Sequence, residues 1–93
     1  MPQQKSTTRN FQEWMQQFKV RSQNDIVELY EAVSGERDHP AKYKYETDED
    51  GNRTLHCNFQ PQLPDLVLTL PSERRFLDYL DTHYGGQNGV MYR

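Results

Sequence analysis

Phe11, Trp14, Met15 and Phe18 recur at the spacing of one helical face, and Ile26, Leu29, Tyr30 and Val33 resume the same phase. Asn10 with Glu13 three residues later fits a capping box, with Asn in place of Ser or Thr. Two readings of this stretch stay open. Residues 11–34 form one long helix, or two helices break at residues 22–25, with Ser22 or Asn24 capping the second. Gly35 ends the helix in either case.

After the connection at residues 36–40 the period changes from 3.6 to 2. In residues 41–47 the odd positions are apolar or aromatic up to Thr47, and the even ones charged, which predicts an amphipathic strand. Residues 48–52 are turn-formers, and a second strand over 53–59 places Leu55, Cys57 and Phe59 on one face. The two patterns constrain the loop between them. A two-residue loop at Asp50-Gly51 would oppose Tyr45 to His56 and mix the faces. A three-residue loop, Glu49-Asp50-Gly51, opposes Tyr45 to Leu55 and Tyr43 to Cys57, so that all apolar residues share one face. Such a loop commonly carries a left-handed glycine at its last position.

Pro61 and Pro64 exclude a central strand between them. A third strand is predicted over 65–70, with Leu66, Leu68 and Leu70 inward and Pro71 ending it. Ser72 then reads as the N-cap of a last helix. Its apolar face is Phe76, Leu77, Leu80 and Tyr84, and Gly85-Gly86 closes it. The expected fold is α+β, in the order α-β-β-β-α. It is a three-stranded antiparallel meander with both helices packed on one face. Residues 1–9 read as a flexible tail, 10–86 as one domain, and 87–93 as a flexible or edge-pairing segment.

Composition sharpens this picture. The chain has 93 residues, room for one domain. Only 33% of them are hydrophobic, but 12% are aromatic, which belongs to a folded chain with a polar surface rather than a disordered one. No apolar run is long enough to span a bilayer. The N-terminus lacks the apolar stretch of a secretory signal. The single cysteine, Cys57, rules out an internal disulfide framework. A cytoplasmic location is expected.

Charge is unevenly spread. Residues 1–21 carry Lys5, Arg9, Lys19 and Arg21 against Glu13, whereas residues 22–39 carry five acids against Arg37, and the whole chain has a net charge of −3. The order α-β-β-β-α is similar to that of double-stranded-RNA-binding domains. That resemblance covers element order and implies phosphate contacts, for which the last helix offers only Arg74 and Arg75; Arg9, Lys19 and Arg21 lie elsewhere and complete the candidate set. A negative net charge weighs against them, because nucleic-acid binders present a basic footprint.

No residue set points to catalysis. His39, His56, Cys57 and His83 lack metal-ligand spacing, and the adjacent His56 and Cys57 point to opposite faces of a strand. Cys57 on an apolar face is an inert thiol rather than a nucleophile. No cofactor or metal is implied. The expected function is a small, acidic, non-catalytic module that regulates, inhibits or adapts another protein, as a monomer or an edge-paired homodimer. Its candidate contacts are the acidic hairpin tip, Asp48, Glu49 and Asp50, and the apolar residues Val90, Met91 and Tyr92. Nucleic-acid binding is the alternative, and a small enzyme or metal protein the third reading.

Overall fold

A computed structural model describes residues 7–85. The chain is α+β, with the elements β1 (Thr7–Thr8), α1 (Phe11–Gln17), α2 (Gln23–Ser34), β2 (Tyr43–Thr47), β3 (Arg53–Cys57), β4 (Asp65–Leu68) and α3 (Leu70–Leu80). A π-helical turn, Asp81–Gly85, extends α3.

The N-terminal helical stretch is two helices. Asn10 caps α1, its side-chain oxygen accepting from the N–H groups of Gln12 and Glu13. The other half of the expected box is not made by Glu13. The Asn10 N–H donates instead to the Thr8 hydroxyl at 3.1 Å. After α1 the backbone turns extended at Phe18. The Gln60 side-chain amide then clamps Lys19, accepting from its N–H and donating to its carbonyl, both at 3.0 Å. That clamp mimics a strand pairing and gives the link an alternative to helix. Ser22 holds the N-cap position of α2, but its hydroxyl makes no capping bond. Asp25 reaches back instead and accepts from the Arg21 N–H at 2.9 Å. Gly35, at φ 86°, ends α2 in the left-handed region.

The sheet departs from the expected meander. It has four strands in the order β1-β4-β3-β2, and β1 runs parallel to β4, with Thr7 opposite Asp65 and Thr8 opposite Leu66. Those two threonines lie in the segment read from sequence as tail. The sheet is therefore mixed, and the element order is not that of the double-stranded-RNA-binding domains.

The hairpin has the predicted register: Tyr43 opposes Cys57, Tyr45 opposes Leu55, and Thr47 opposes Arg53. Gly51 sits at φ 85°, and its N–H donates to the Asp48 carbonyl at 3.1 Å. The Asp48 carboxylate also accepts from the N–H groups of Asp50 and Asn52, fixing the loop from inside.

The β4–α3 junction corrects two expectations. Leu70 is not an inward strand residue. It is the first residue of α3 and is 66% exposed. The N-cap is Thr69, and Ser72 is its reciprocal partner. Ser72 N–H donates to the Thr69 hydroxyl, and Thr69 N–H donates to the Ser72 hydroxyl. Pro71 thus lies in the first helical turn, where its missing N–H costs nothing.

All three helices cover one sheet face. Tyr43, Leu55, Cys57, Leu66 and Leu68 are buried on it against Trp14, Ile26, Leu29, Val33, Phe76 and Leu80. Full burial of each large aliphatic stabilises by roughly 1.5–3 kcal/mol. Trp14 stacks on Phe18 and meets Phe76 edge-on, and its indole N–H donates to the buried Pro64 carbonyl at 2.7 Å. Tyrosine hydroxyls tie the sheet to the helices, Tyr43 donating to the Asp25 carbonyl and Tyr45 to Glu73. Among the described residues, no helix is long and apolar enough to cross a membrane.

Candidate docking edge

β2 is an edge strand, and its hydrogen-bond phase can be derived. In an antiparallel pair, residues alternate between those that bond the neighbouring strand and those whose N–H and C=O point away. Asn58 N–H donates to the Lys42 carbonyl at 2.7 Å, and Asp48 N–H to the Asn52 carbonyl at 2.8 Å. Both bonds belong to even-numbered positions of the same register, so Lys44 and Glu46 bond β3. The backbone groups of Tyr43, Tyr45 and Thr47 therefore face outward. The Tyr43 N–H is taken by the His39 carbonyl at 2.7 Å. Among the described residues, no strand pairs with the rest of this edge.

A groove of about 380 Å³ runs along the same edge, on the helix side, between β2 and the C-terminal end of α2. Ala32, Pro40, Tyr43 and Tyr45 give it apolar walls, and Asp38, Lys44 and Arg53 give it charge. Its floor is held firmly. Arg53 Nη1 donates to both carboxylate oxygens of Glu73, at 3.0 and 3.2 Å, and the guanidinium lies 5.8 Å from the Tyr45 ring centre. Burial, with Glu73 beside it, pushes the Tyr45 hydroxyl well above its ordinary pKa.

The loop that forms the other wall is pinned by α2. His39 Nε2 lies 2.8 Å from Glu31, and Lys42 Nζ lies 2.6 Å from Glu28 and 3.6 Å from Asp25. The hydrogen bond to Glu28 raises the Lys42 pKa, against the smaller opposing effect of burial. Sequence reasoning missed this network, because the acids of α2 find their partners only through the chain reversal that follows. Its consequence is electrostatic. Asp25 and Glu28 are engaged by Lys42 and Glu31 is bonded to His39, which leaves a separate group of exposed carboxylates around β2.

There, Glu36, Asp38, Glu46, Asp48, Glu49 and Asp50 are all exposed, against the exposed cations Arg37 and Lys44. The Lys44 ammonium, 3.2 Å from Glu46, holds that carboxyl below the usual range. Of the three tip residues singled out from sequence, Asp48 is partly structural through its turn bonds, while Glu49 and Asp50 project at the tip. Val90, Met91 and Tyr92 lie outside the described residues.

The alternative basic set is dispersed. Arg9 precedes α1, Lys19 and Arg21 lie in the α1–α2 link, and Arg74 and Arg75 are exposed on α3. Arg21 is engaged internally, 5.0 Å over the Phe59 ring and 3.8 Å from Asp25. His56 and Cys57 part as their alternation requires. Cys57 is fully buried in the core. His56 lies on the opposite face, 3.1 Å from Asp65 and 3.4 Å from Glu46. Among the described residues, no group of three or more His, Cys, Asp or Glu is arranged to hold a metal ion. A further hollow of about 300 Å³ beside Gln17, Lys19 and Leu63 is walled by Gln60, whose amide is committed to the Lys19 backbone.

The fold and this edge define an α+β domain with an accessible strand in acidic surroundings. Comparison with family models, with curated proteins and with solved structures found no match.

Proposed function

We propose that this chain is a non-catalytic protein-binding module of the cytoplasm that regulates, inhibits or adapts its partner. The observation that carries the reading is the β2 edge. Outward backbone groups, a partly apolar groove and a surplus of exposed carboxylates occur side by side there. Edge strands are templates for another chain. Aromatic groove walls add contact area at little entropic cost, because Tyr has few rotatable bonds.

The test is capture of partners from the source lysate on the tagged full chain, with and without nuclease. A protein retained at near-equal amount after nuclease treatment is the expected result. Loss of all enrichment on nuclease treatment refutes the reading and transfers the function to nucleic acid, through Arg74, Arg75 and the N-terminal cations.

A further inference from the structure

We infer that the β2 edge takes an extended, basic segment of the partner, which adds to the sheet as a fifth strand. This rests on the protein-binding reading and specifies its partner by backbone conformation and charge.

The phase of the hairpin turns one row of backbone groups outward. The N–H and C=O of Tyr45, the N–H and C=O of Thr47, and the C=O of Tyr43 all point along one line out of the sheet. A strand laid there completes these bonds without displacing any bond of the β2–β3 ladder. Strand addition draws its affinity from such main-chain bonds and its specificity from alternate side chains. One set of those side chains would enter the groove against Ala32, Tyr43 and Tyr45, where small or medium apolar residues fit. The other set would fall on the opposite face beside Lys44 and Glu46.

The charge around the edge sets the sign of the partner. Around the edge, exposed carboxylates outnumber exposed cations by six to two. Asp38 lines the groove together with Lys44 and Arg53, whose charges are engaged by Glu46 and Glu73, and Glu49 and Asp50 stand at the end of the strand. An incoming acidic strand would meet repulsion at both ends, and a basic one attraction. A second copy of this chain fits less well. Antiparallel self-pairing centred on Tyr45 would bring each hairpin tip towards the other copy's loop of residues 36–40, carboxylate against carboxylate.

The experiment uses the full isotope-labelled chain and two synthetic probes, acetyl-Lys-Val-Lys-Val-Lys-Val-Lys-amide and its counterpart with Glu in place of Lys. Amide shifts are followed by NMR at low and high salt. The basic peptide should perturb residues 43–47 and 35–38 and weaken as salt rises. The acidic peptide should bind at least about tenfold more weakly. Thr47→Pro removes an outward donor and sets a ring in the path of the partner, while leaving every β2–β3 bond in place. It should weaken the basic peptide about tenfold. The Asp38→Lys, Glu49→Lys double variant reports on charge independently, should Thr47→Pro fail to fold, and is expected to lower affinity at low salt.

Equal binding of both peptides overturns the charge argument. Unchanged binding by a folded Thr47→Pro variant overturns the edge itself. Sedimentation showing a dimer that Thr47→Pro dissolves replaces the partner strand with a second copy. If neither peptide binds but a nuclease-resistant protein is captured from lysate, the strand inference falls and the protein-binding reading stands. If both fail, both fall.

Discussion

Replacing Gly51 isolates one physical effect, because the structure removes the usual competitor. A Cβ built on Gly51 meets nothing within 4 Å, so a side chain there is not excluded for lack of space. What remains is the backbone, held at φ 85° by the Gly51 N–H bond to Asp48 and the Asp48–Asn52 closure. For an L residue the left-handed region costs about 1–2 kcal/mol. Replacing Gly also narrows the unfolded ensemble, which offsets about 0.4–1 kcal/mol. Gly51→Ala should therefore destabilise by about 1 kcal/mol net. Gly51→Val should cost more, because a β-branched residue resists positive φ. Gly51→Asn should cost least, because Asn visits this region readily. In a domain of this size 1 kcal/mol moves Tm by about 4–8 °C. Thermal and urea unfolding of the three variants give the ranking. Gly35 supplies an internal control, since its φ is 86° and a Cβ there also meets nothing within 4 Å. The same substitutions at both sites should cost similar amounts and add. A Val variant at Gly51 that melts with wild type would refute the loop geometry. Asn costing as much as Val would refute the attribution to φ.

Two further outcomes can be measured on the isolated chain. Burial pushes the Tyr43 hydroxyl far above its ordinary value, so the native state keeps the proton after the unfolded chain has lost it. The stability this contributes is fully present below about pH 10. It is then lost progressively at higher pH, because the folded pKa lies above the unfolded one. Urea midpoints should fall above pH 10 and fall less steeply in Tyr43→Phe; identical slopes would contradict the assignment. Hydrogen exchange by NMR should alternate along β2, with the Lys44 and Glu46 amides protected and those of Tyr45 and Thr47 fast. Uniform protection would mean that the outer edge is paired.

Much of the hairpin was readable because two independent periodicities had to agree. Only an odd loop places Tyr43, Tyr45, Leu55 and Cys57 on one face, and this is the observed register. The aromatic stripe of α1 and the aliphatic stripe of α2 were likewise legible from spacing alone. The break between them was not, because its cause lies 41 residues away in the Gln60 amide. β1 left no hydrophobic trace, as Thr-Thr pairs through its backbone. At the β4–α3 junction, Leu70 continued the alternation of Leu66 and Leu68 and so read as strand. Pro71 then read as a terminator, although a proline serves equally in a first helical turn. The acidic tip was visible in sequence. The acidic character of the β2 edge was not, because it depends on which α2 carboxylates are spent on Lys42 and His39.

Among the described residues the two margins of the sheet are unequal, and this bears on how large a complex can grow. On the β1 side the described strand is a stub of two residues, too short to template a stable ladder. A subunit with two open margins can pass pairing from copy to copy and lengthen into a filament. One with a single usable margin is satisfied by its first contact. Strand addition at β2 would therefore end in a closed pair of fixed stoichiometry. Among the described residues, β1 offers only two positions on its side, so the β2 edge is exposed without a matching second edge to carry pairing onward.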